Sequence, residues 1–499
     1  MLRSYLPHDV AAAERPLLDA GEPLMALASF ACAQAVIADL HARGARVSGS
    51  AVLVVAGRGN NGGDALFAGA ILARRGVAVK VAHLPGAHAE GLAAARAAGV
   101  RTVELEGTPA DLHVLRGLAA WGGTWIDGLL GIGASGAVRE PVASWIEALN
   151  EERAASPDEP HVIAVDVPSG VGVGDGTLPG PVLAADMTVA MGARKPAHLV
   201  PPASLVCGRI VDVPIGIESN LPKEAEVCAL GDADVADLWL VPGPRDHKYT
   251  RGVLGMLTGS RTYPGAALLG IGGALAVGPG MVRYLGGADV TGVFPEVVTA
   301  PGRVQAWVIG SGLDDLSEAK RVLADAVAEG VPVILDAGAV ALAATQQLPQ
   351  VTVLTPHAGE LSTLLGELSQ PMSREEIEAA PLAAARAAAR ATGAIVVAKG
   401  AIDVIAGPNG MAYAQGGAPG WRGVAGAGDT YAGVLGGILA GVEPTQEAAA
   451  AAAAAASHLH ARAAQRAARS NGRIGRPIRA REISSALPDV IDEILNGES

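Results

Sequence analysis

Residues 51–64 read AVLVVAGRGNNGGD: six small apolar residues that break into Gly57-Arg58-Gly59 and then Asn60-Asn61-Gly62-Gly63-Asp64. A Val-rich run of that length suits a strand buried on both faces, and the glycines after it suit a tight turn into a helix, predicted over 63–75. Asn and Gly would tolerate positive φ in such a turn. Strand, glycine loop and helix form the repeating unit of a parallel α/β sheet, and the unit recurs. Further strands are predicted over 77–83, 124–127, 161–167, 187–191 and 209–213. Asp64, Asp127 and Asp166 fall at or just beyond strand ends, the edge where open α/β sheets bind ligands.

Around 217–234 the pattern lapses into Pro, Glu, Gly and Asp, which reads as a linker, and a second α/β series follows. Its strands are predicted over 253–258, 289–294, 306–309, 331–335, 351–354 and 394–398, and its helices over 318–329, 374–392 and 429–439. The Ala-dominated stretch 447–469 is a strong helix by propensity. The chain thus reads as two domains, 1–228 and 229–499. The second carries its own acidic glycine loop, Gly426-Ala427-Gly428-Asp429. Bare N–H groups at a helix start attract phosphate, so two such loops suggest two sites for related phosphorylated molecules.

A chain of 499 residues exceeds one ordinary core, and a net charge of −13 argues against nucleic-acid or anionic-membrane partners. Cys32, Cys207 and Cys228 are scattered, without the spacing of a zinc site or a disulfide framework. Residues 1–14 lack a basic segment followed by an apolar one, so no secretory signal is expected. The uncharged run 264–282 is studded with glycine and reads as a buried helix ending at Gly278-Pro279 rather than a span. A cytoplasmic location is expected.

Taken alone, residues 57–64 are a strand-to-helix turn. Two companions change the balance: the glycine loop Asp127-Gly128-Leu129-Leu130-Gly131-Ile132-Gly133-Ala134-Ser135-Gly136, and Asp166-Val167-Pro168-Ser169-Gly170, each after a strand. Asn61, Asp127 and Ser169 offer hard oxygen donors suited to a group I or II cation. The 131–137 backbone suits a pyrophosphate, and Asp166 suits proton exchange with a substrate. These motifs, with Asp186-Met187-Thr188-Val189 and Lys195, resemble the NAD(P)H-hydrate epimerase domain over roughly 16–217. That resemblance implies a Rossmann-like three-layer α/β fold, with potassium held by Asn61, Asp127 and Ser169. It implies a hydrated dinucleotide held by Asn60, Asn61, Gly62, Gly63, Asp64, Gly131, Ile132, Gly133, Ala134, Ser135, Gly136, Ala137 and Asp166, the last also catalytic. Ala65 departs from the family, which usually carries Gly there.

In the second half, Gly426-Ala427-Gly428-Asp429 alone is a glycine turn with an Asp favoured by the helix dipole. Its companions are Thr355-Pro356-His357-Ala358-Gly359-Glu360, Lys399-Gly400-Ala401-Ile402-Asp403, Gly310-Ser311-Gly312-Leu313 and Tyr263-Pro264-Gly265-Ala266-Ala267, all at strand ends. The set suits phosphoryl transfer to a hydroxyl, with Asp429 as base and the 427–429 N–H groups as anion hole. With His247-Lys248-Tyr249-Thr250-Arg251-Gly252, these elements are similar to the ribokinase-like superfamily, and within it to the ADP-dependent NAD(P)H-hydrate dehydratase, over roughly 234–487. That resemblance implies a ribokinase-like α/β domain. In it Ala266, Gly312, His357 and Asp429 would contact the hydrated dinucleotide, and Lys399, Gly400, Ala401, Ile402, Asp403 and Gly428 the adenine nucleotide. Ala358 and Gly338 depart from the family pattern, which commonly has Pro and an acidic residue there.

Together the two resemblances imply a bifunctional enzyme. The first domain would interconvert the R and S hydrates of NADH or NADPH. The second would dehydrate the S form at the expense of ADP, with Mg2+, giving AMP and phosphate. A homo-oligomer acting on small molecules is expected. A small-molecule kinase, a non-catalytic binding module and an NAD oxidoreductase are the rivals. The kinase does not explain the Asn-Asn-Gly-Gly-Asp domain, and the binding module does not need three strand-end aspartates. The oxidoreductase would need an acidic residue at the end of 77–83, and that strand ends without one.

Overall fold

The computed structural model describes residues 1–134, 136–469 and 474–497. Arg3–Glu226 form one compact unit, and the chain from Val227 onward, with Met1–Leu2, forms another.

The first unit is built on a seven-stranded sheet, β1 (Ala51–Ala56), β2 (Ala78–His83), β3 (Arg101–Glu104), β4 (Thr124–Gly128), β5 (His161–Val165), β6 (Met187–Met191) and β7 (Arg209–Val213), ordered β3-β2-β1-β4-β5-β6-β7. Every pairing is parallel. The chain steps outward from β1 to β3 and then resumes on the other side of β1. The switch between β1 and β4 therefore opens a crevice at their C-terminal ends. Side chains alternate across the strand: Val52 and Val54 join one buried cluster, Leu53 and Val55 another that includes Trp125 and Trp145. Helices thus cover both faces, which is why these strands are uniformly apolar.

The helix α1 (Leu24–Ala42) is long and apolar enough, by length and composition, to cross a membrane. Here its Cys32, Ala33, Val36 and Leu40 are buried in the first cluster. The helix α2 (Asn60–Arg74) starts three residues earlier than expected, directly after an extended Gly59. None of residues 57–64 has positive φ. The glycines serve close approach instead: a β-carbon at 57 would lie 1.9 Å from the Leu129 carbonyl oxygen, and one at 62 would lie 2.3 Å from that of Gly57. Ala65 is tolerated because the residue beside its methyl is Gly128, where a β-carbon would come within 2.6 Å.

In the second unit the sheet runs β8 (Val227–Ala229), β9 (Val253–Leu257), β10 (Met281–Tyr284), β11 (Ala306–Ile309), β12 (Val333–Leu335), β13 (Thr352–Leu354), β14 (Ile395–Ala398), β15 (Ile402–Ala406) and β16 (Ala412–Gly416) along the chain, in the order β8-β16-β15-β14-β13-β12-β11-β9-β10. From β9 to β14 the pairings are parallel, while β14, β15 and β16 are antiparallel neighbours. The helices α3 (Pro264–Ala276) and α4 (Ala427–Leu439) cross closely: a β-carbon at Gly433 would lie 1.9 Å from the Gly270 carbonyl oxygen. Behind them α5 (Gln446–Ala468) buries Ala452, Ala453, Ala455 and Ala456 in the main core.

Four expectations need correction. Residues 289–294 form hydrogen-bonded turns, Val293 and Phe294 both donating to the Val290 carbonyl; Asp289, Thr291 and Gly292 suit a turn, and β10 supplies the strand. The 217–234 stretch is no plain linker, since β8 lies within it and the helix Asp232–Leu238 begins in it. The 374–392 helix is two, Arg374–Ala379 and Pro381–Thr392, because the residue before a proline avoids helical geometry. Ile402 and Asp403 open a strand rather than continuing a loop.

Candidate active sites

In the first unit, Asp127 ends β4 and Ser169 follows β5, and the two meet. The Ser169 hydroxyl donates to Asp127 Oδ1 at 2.6 Å and its N–H to Oδ2 at 2.7 Å. The Leu129 N–H donates to the same carboxyl, and the Leu130 N–H donates to Ser169 Oγ at 2.9 Å. Asn61, in the first turn of α2, closes the group: its amide donates to the carbonyls of Val165 at 2.7 Å and Leu130 at 3.2 Å. Gly131 presses on that amide, where a β-carbon would come within 2.5 Å of Asn61 Oδ1. Burial pushes the Asp127 carboxyl up to about 6 against the pull of Ser169. The donor set is a carboxylate, a hydroxyl, an amide oxygen and nearby main-chain carbonyls. It is all hard oxygen with one formal charge, which fits a monovalent cation better than a divalent one.

Asp166 sits just past β5 with φ of 64°. Its Oδ1 accepts the Met191 N–H at 2.9 Å and the ammonium of Lys195, a lysine buried to 1 % exposure. Lys195 Nζ also donates to the Met191 carbonyl. His198 accepts the Lys195 N–H at Nδ1 and donates from Nε2 to the Asp166 carbonyl at 2.8 Å. Those two bonds require the neutral tautomer, and burial holds His198 down at about 4. The local geometry thus locks a paired carboxylate in place.

Asp64, one turn along α2 from Asn60, faces Ser29 of α1. The Ser29 oxygen lies 2.6 Å from the Met25 carbonyl and 3.3 Å from Asp64 Oδ1. A hydroxyl has one proton, and the shorter contact takes it. The contact to Asp64 is thus the weaker of the two the Ser29 hydroxyl can make. Burial pushes Asp64 up to about 8 against the pull of Ser29, with Asp166 and Glu14 adding to it. Ile132 and Ala134 are half-buried, Gly133, Gly136 and Ala137 exposed; Ser135 lies outside the described residues. Asn60, Gly62 and Gly63 all lie in the first turn of α2.

In the second unit, α4 begins at Ala427 behind Gly426, whose φ is 88°. Asp429 is in its first turn, and burial pushes the carboxyl up to about 6, raised further by Asp336 and opposed by Lys399. Lys399 Nζ reaches the helix start: a β-carbon at Gly428 would lie 3.4 Å from it. The ammonium is held by Asp336 at 2.8 Å. Asp336 is fully buried and also accepts Ser311 at 2.6 Å and Thr355 at 2.7 Å. Burial alone would raise Asp336, but Lys399 and the two hydroxyls bring it below the usual carboxylate range. Lys399 in turn is pulled down by burial and carried above its ordinary value mainly by Asp336.

A cavity of about 520 Å³ opens beside this pair, lined by His357, Lys399, Gly400, Ala401, Asp403 and Gly428 among others. Asp403 is gripped by Arg422 at 3.0 and 3.1 Å. His357 caps the helix Ala358–Glu367 by accepting the Gly359 N–H, leaving its ring exposed at the cavity. Of the expected nucleotide contacts, Ile402 is not in the lining. Ala266 and Gly312 lie elsewhere, side by side: a β-carbon at 312 would come within 2.6 Å of the Ala266 methyl. Asp336, Ser29, Arg422, Tyr431 and His460 were given no role in the sequence reading. Each meets its partner across a long sequence separation, so spacing carries no trace of it.

Two family models match the chain: YjeF-related protein N-terminus over residues 21–197 and NAD(P)H-hydrate dehydratase over 254–488. The bifunctional NAD(P)H-hydrate repair enzyme of Mycobacterium tuberculosis is 40% identical over 467 residues, covering 90% of this chain and 91% of that one. The Mycobacterium leprae enzyme of the same name is 40% identical over 463 residues, covering 90% of each. The NAD(P)H-hydrate epimerase of Clavibacter michiganensis is 39% identical over 222 residues, 43% of this chain and 90% of that one. A solved Bacillus subtilis ADP/ATP-dependent NAD(P)H-hydrate dehydratase, co-crystallised with ATP/Mg2+, is 26% identical and covers 54% of this chain and 99% of its own, with a TM-score of 0.48. With both family models matched in order and 40% identity across nine-tenths of the chain, this protein belongs to the family of bifunctional NAD(P)H-hydrate repair enzymes.

Proposed function

We propose that residues 1–228 epimerise the R and S hydrates of NADH and NADPH, and that residues 229–499 dehydrate the S form with ADP, releasing AMP and phosphate. The observation that carries the reading is Asp429. It is a carboxyl raised toward neutrality, in the first turn of a helix whose opening residues Ala427 and Gly428 line the cavity beside Lys399. Asp429 takes the proton of the C6 hydroxyl as that oxygen attacks the terminal phosphoryl group of ADP; AMP departs. The 427–429 N–H groups and Lys399 hold the phosphoryl oxygens. The ring-nitrogen lone pair then expels phosphate from C6, and loss of the neighbouring C5 proton restores the enamine.

Ala266, Gly312 and His357 are the remaining dinucleotide contacts of this reading, and Lys399, Gly400, Ala401, Ile402, Asp403 and Gly428 the adenine-nucleotide contacts. Mg2+ bound with the nucleotide would neutralise the charge of its phosphates. That fits a site where, among the described residues, no three His, Cys, Asp or Glu side chains group to hold a metal.

In the first unit the reading gives Asp166 the proton transfer at the hydrated carbon. Asn60, Asn61, Gly62, Gly63 and Asp64 with residues 131–137 cradle the dinucleotide. Potassium at Asn61, Asp127 and Ser169 would fix the adjoining loop and supply positive charge beside the phosphates. A cytoplasmic homo-oligomer belongs to the same proposal. The test is absorbance recovery of NADH from a mixed R and S hydrate with ADP or ATP. Full recovery with ADP is expected. Recovery with ATP alone would overturn the choice of donor, and recovery of half the material would overturn the epimerase.

A further inference from the structure

His460 lies on α5 at the floor of the 520 Å³ cavity, and only 2 % of it is exposed. Neither ring nitrogen makes a hydrogen bond to any described residue. The Ala427 main chain is near enough to favour a ring proton, yet at no normal hydrogen-bond geometry. Two residues earlier on the same helix, His458 bonds to Asp232 at 2.5 Å and to Gln415 at 3.0 Å. The contrast matters, because a buried polar group left unpaired costs on the order of 1–3 kcal/mol. A packing role alone would be served better by an apolar ring. The ring is also held in place: Tyr431 packs edge-on at 5.9 Å, and the Tyr431 hydroxyl is fixed by the Ala453 carbonyl and Ser457.

The charges around it are already spoken for. Lys399 pairs with Asp336, and Arg422 with Asp403. Burial first, and the Arg422 guanidinium second, keep the His460 ring neutral, down at about 3. A neutral imidazole offers one donor and one acceptor and has no charge for a phosphate. Its complement is an uncharged group with both functions, such as a ribose hydroxyl or a base edge.

We infer that His460 is a specificity-determining residue that hydrogen-bonds the nucleoside part of the nucleotide bound in this cavity, while Lys399 and the α4 N-terminus take the phosphates. The inference rests on the nucleotide reading of the cavity given above. It assigns the floor of the cavity to the nucleoside and the Lys399 end to the phosphates.

The test compares ADP kinetics of the full-length protein with those of His460→Phe, which keeps a ring against Tyr431 and removes both nitrogens, and Gly428→Val, which crowds Lys399. His460→Phe is expected to raise KM for ADP about tenfold, with a smaller change in kcat. Inhibition by inorganic pyrophosphate, which has no nucleoside, should stay within about twofold of wild type. Unchanged KM in His460→Phe with a raised KM in Gly428→Val overturns the role of His460 alone. Unchanged KM in both overturns the nucleotide reading itself. Equal weakening of ADP and pyrophosphate in His460→Phe also overturns the nucleoside assignment. Should His460→Phe fail to fold, nitrogen-detected histidine NMR of the wild-type protein decides. ADP should shift the ring nitrogens of a buried neutral histidine, and spectra without such a shift overturn the inference.

Discussion

The Lys399 ammonium lies 2.8 Å from Asp336 Oδ1, inside a carboxylate that also accepts Ser311 and Thr355. Lys399 follows β14, Asp336 follows β12, Ser311 follows β11 and Thr355 follows β13, so four neighbouring strand ends converge on one buried ion pair. Removing one partner of such a pair strands the other. The pair also sets the field at Asp429, which Asp336 raises and Lys399 lowers. Asp336→Asn removes the raising charge and leaves Lys399 uncompensated, and both push Asp429 down. The acid limb of the dehydratase pH profile should therefore move to lower pH, while kcat falls through loss of Lys399 positioning. A fall in rate with an unmoved limb would mean that Asp336 only supports the fold.

Asp429 itself gives the second prediction. With its carboxyl at about 6 and deprotonation required for proton abstraction, kcat/KM for dehydration should fall tenfold per pH unit below about 6 and level off above it. Asp429→Asn should cost about 10²–10⁴ in dehydration. Epimerisation, followed by exchange between R and S hydrates, should persist. Loss of both activities together would point to unfolding, which circular dichroism distinguishes.

The strand ends and their aspartates were legible in the sequence because an apolar run followed by glycine and Asp has few readings. Asp127 and Asp166 stand just where such runs end, and Asp429 closes a glycine loop that opens a helix. What tightened those loops was not legible. Gly57 and Gly62 looked like turn residues that tolerate positive φ, yet they are small because Leu129 and Gly57 carbonyls lie against them. Met281–Tyr284 escaped notice because a four-residue strand carrying Arg283 has no periodic signal. Ser29 and His460 were hidden for another reason. Each lies in an Ala-rich helix whose pattern reports burial only, and their meaning comes from partners dozens of residues away.

Asp64 makes stability depend on pH in a definite direction. Its folded carboxyl titrates at about 8, far above an unfolded carboxyl near 4, so the folded state holds the proton more tightly. This contribution is present below about pH 4 and is lost progressively as pH rises toward 8, at up to roughly 1.4 kcal/mol per pH unit. Asp64→Asn keeps a neutral group of the same shape beside Ser29 and removes the titration. The melting temperature of wild type should fall relative to Asp64→Asn between pH 5 and 8. Parallel curves would show that Asp64 is ionised in the folded protein.

The oxygen cluster of Asp127, Ser169 and Asn61 predicts cation dependence. Potassium chloride should raise the first melting transition of wild type relative to tetramethylammonium chloride at equal ionic strength, since a ligand that binds only the folded state stabilises it. Asp127→Asn should abolish the difference and lower epimerase activity. A potassium response that survived in Asp127→Asn would place the cation elsewhere.

The crossing of α3 and α4 fixes where Asp429 stands, and it depends on two glycines. A β-carbon at Gly433 would lie 1.9 Å from the Gly270 carbonyl oxygen, main chain that cannot rotate aside. Gly433→Ala must therefore push α4 away from α3, an overpacking cost of about 1–3 kcal/mol that outweighs the helix propensity gained. The expected result is a lower melting temperature for the second unit, by roughly 3–10 °C, together with a fall in dehydration as the α4 N-terminus shifts from Lys399. Gly366→Ala is the control: that glycine lies on the helix Ala358–Glu367 with open space where its β-carbon would go, so it should be neutral or slightly stabilising. Equal melting temperatures for the two variants would mean that the helices are not in contact at Gly270, and the positioning of Asp429 would need another cause.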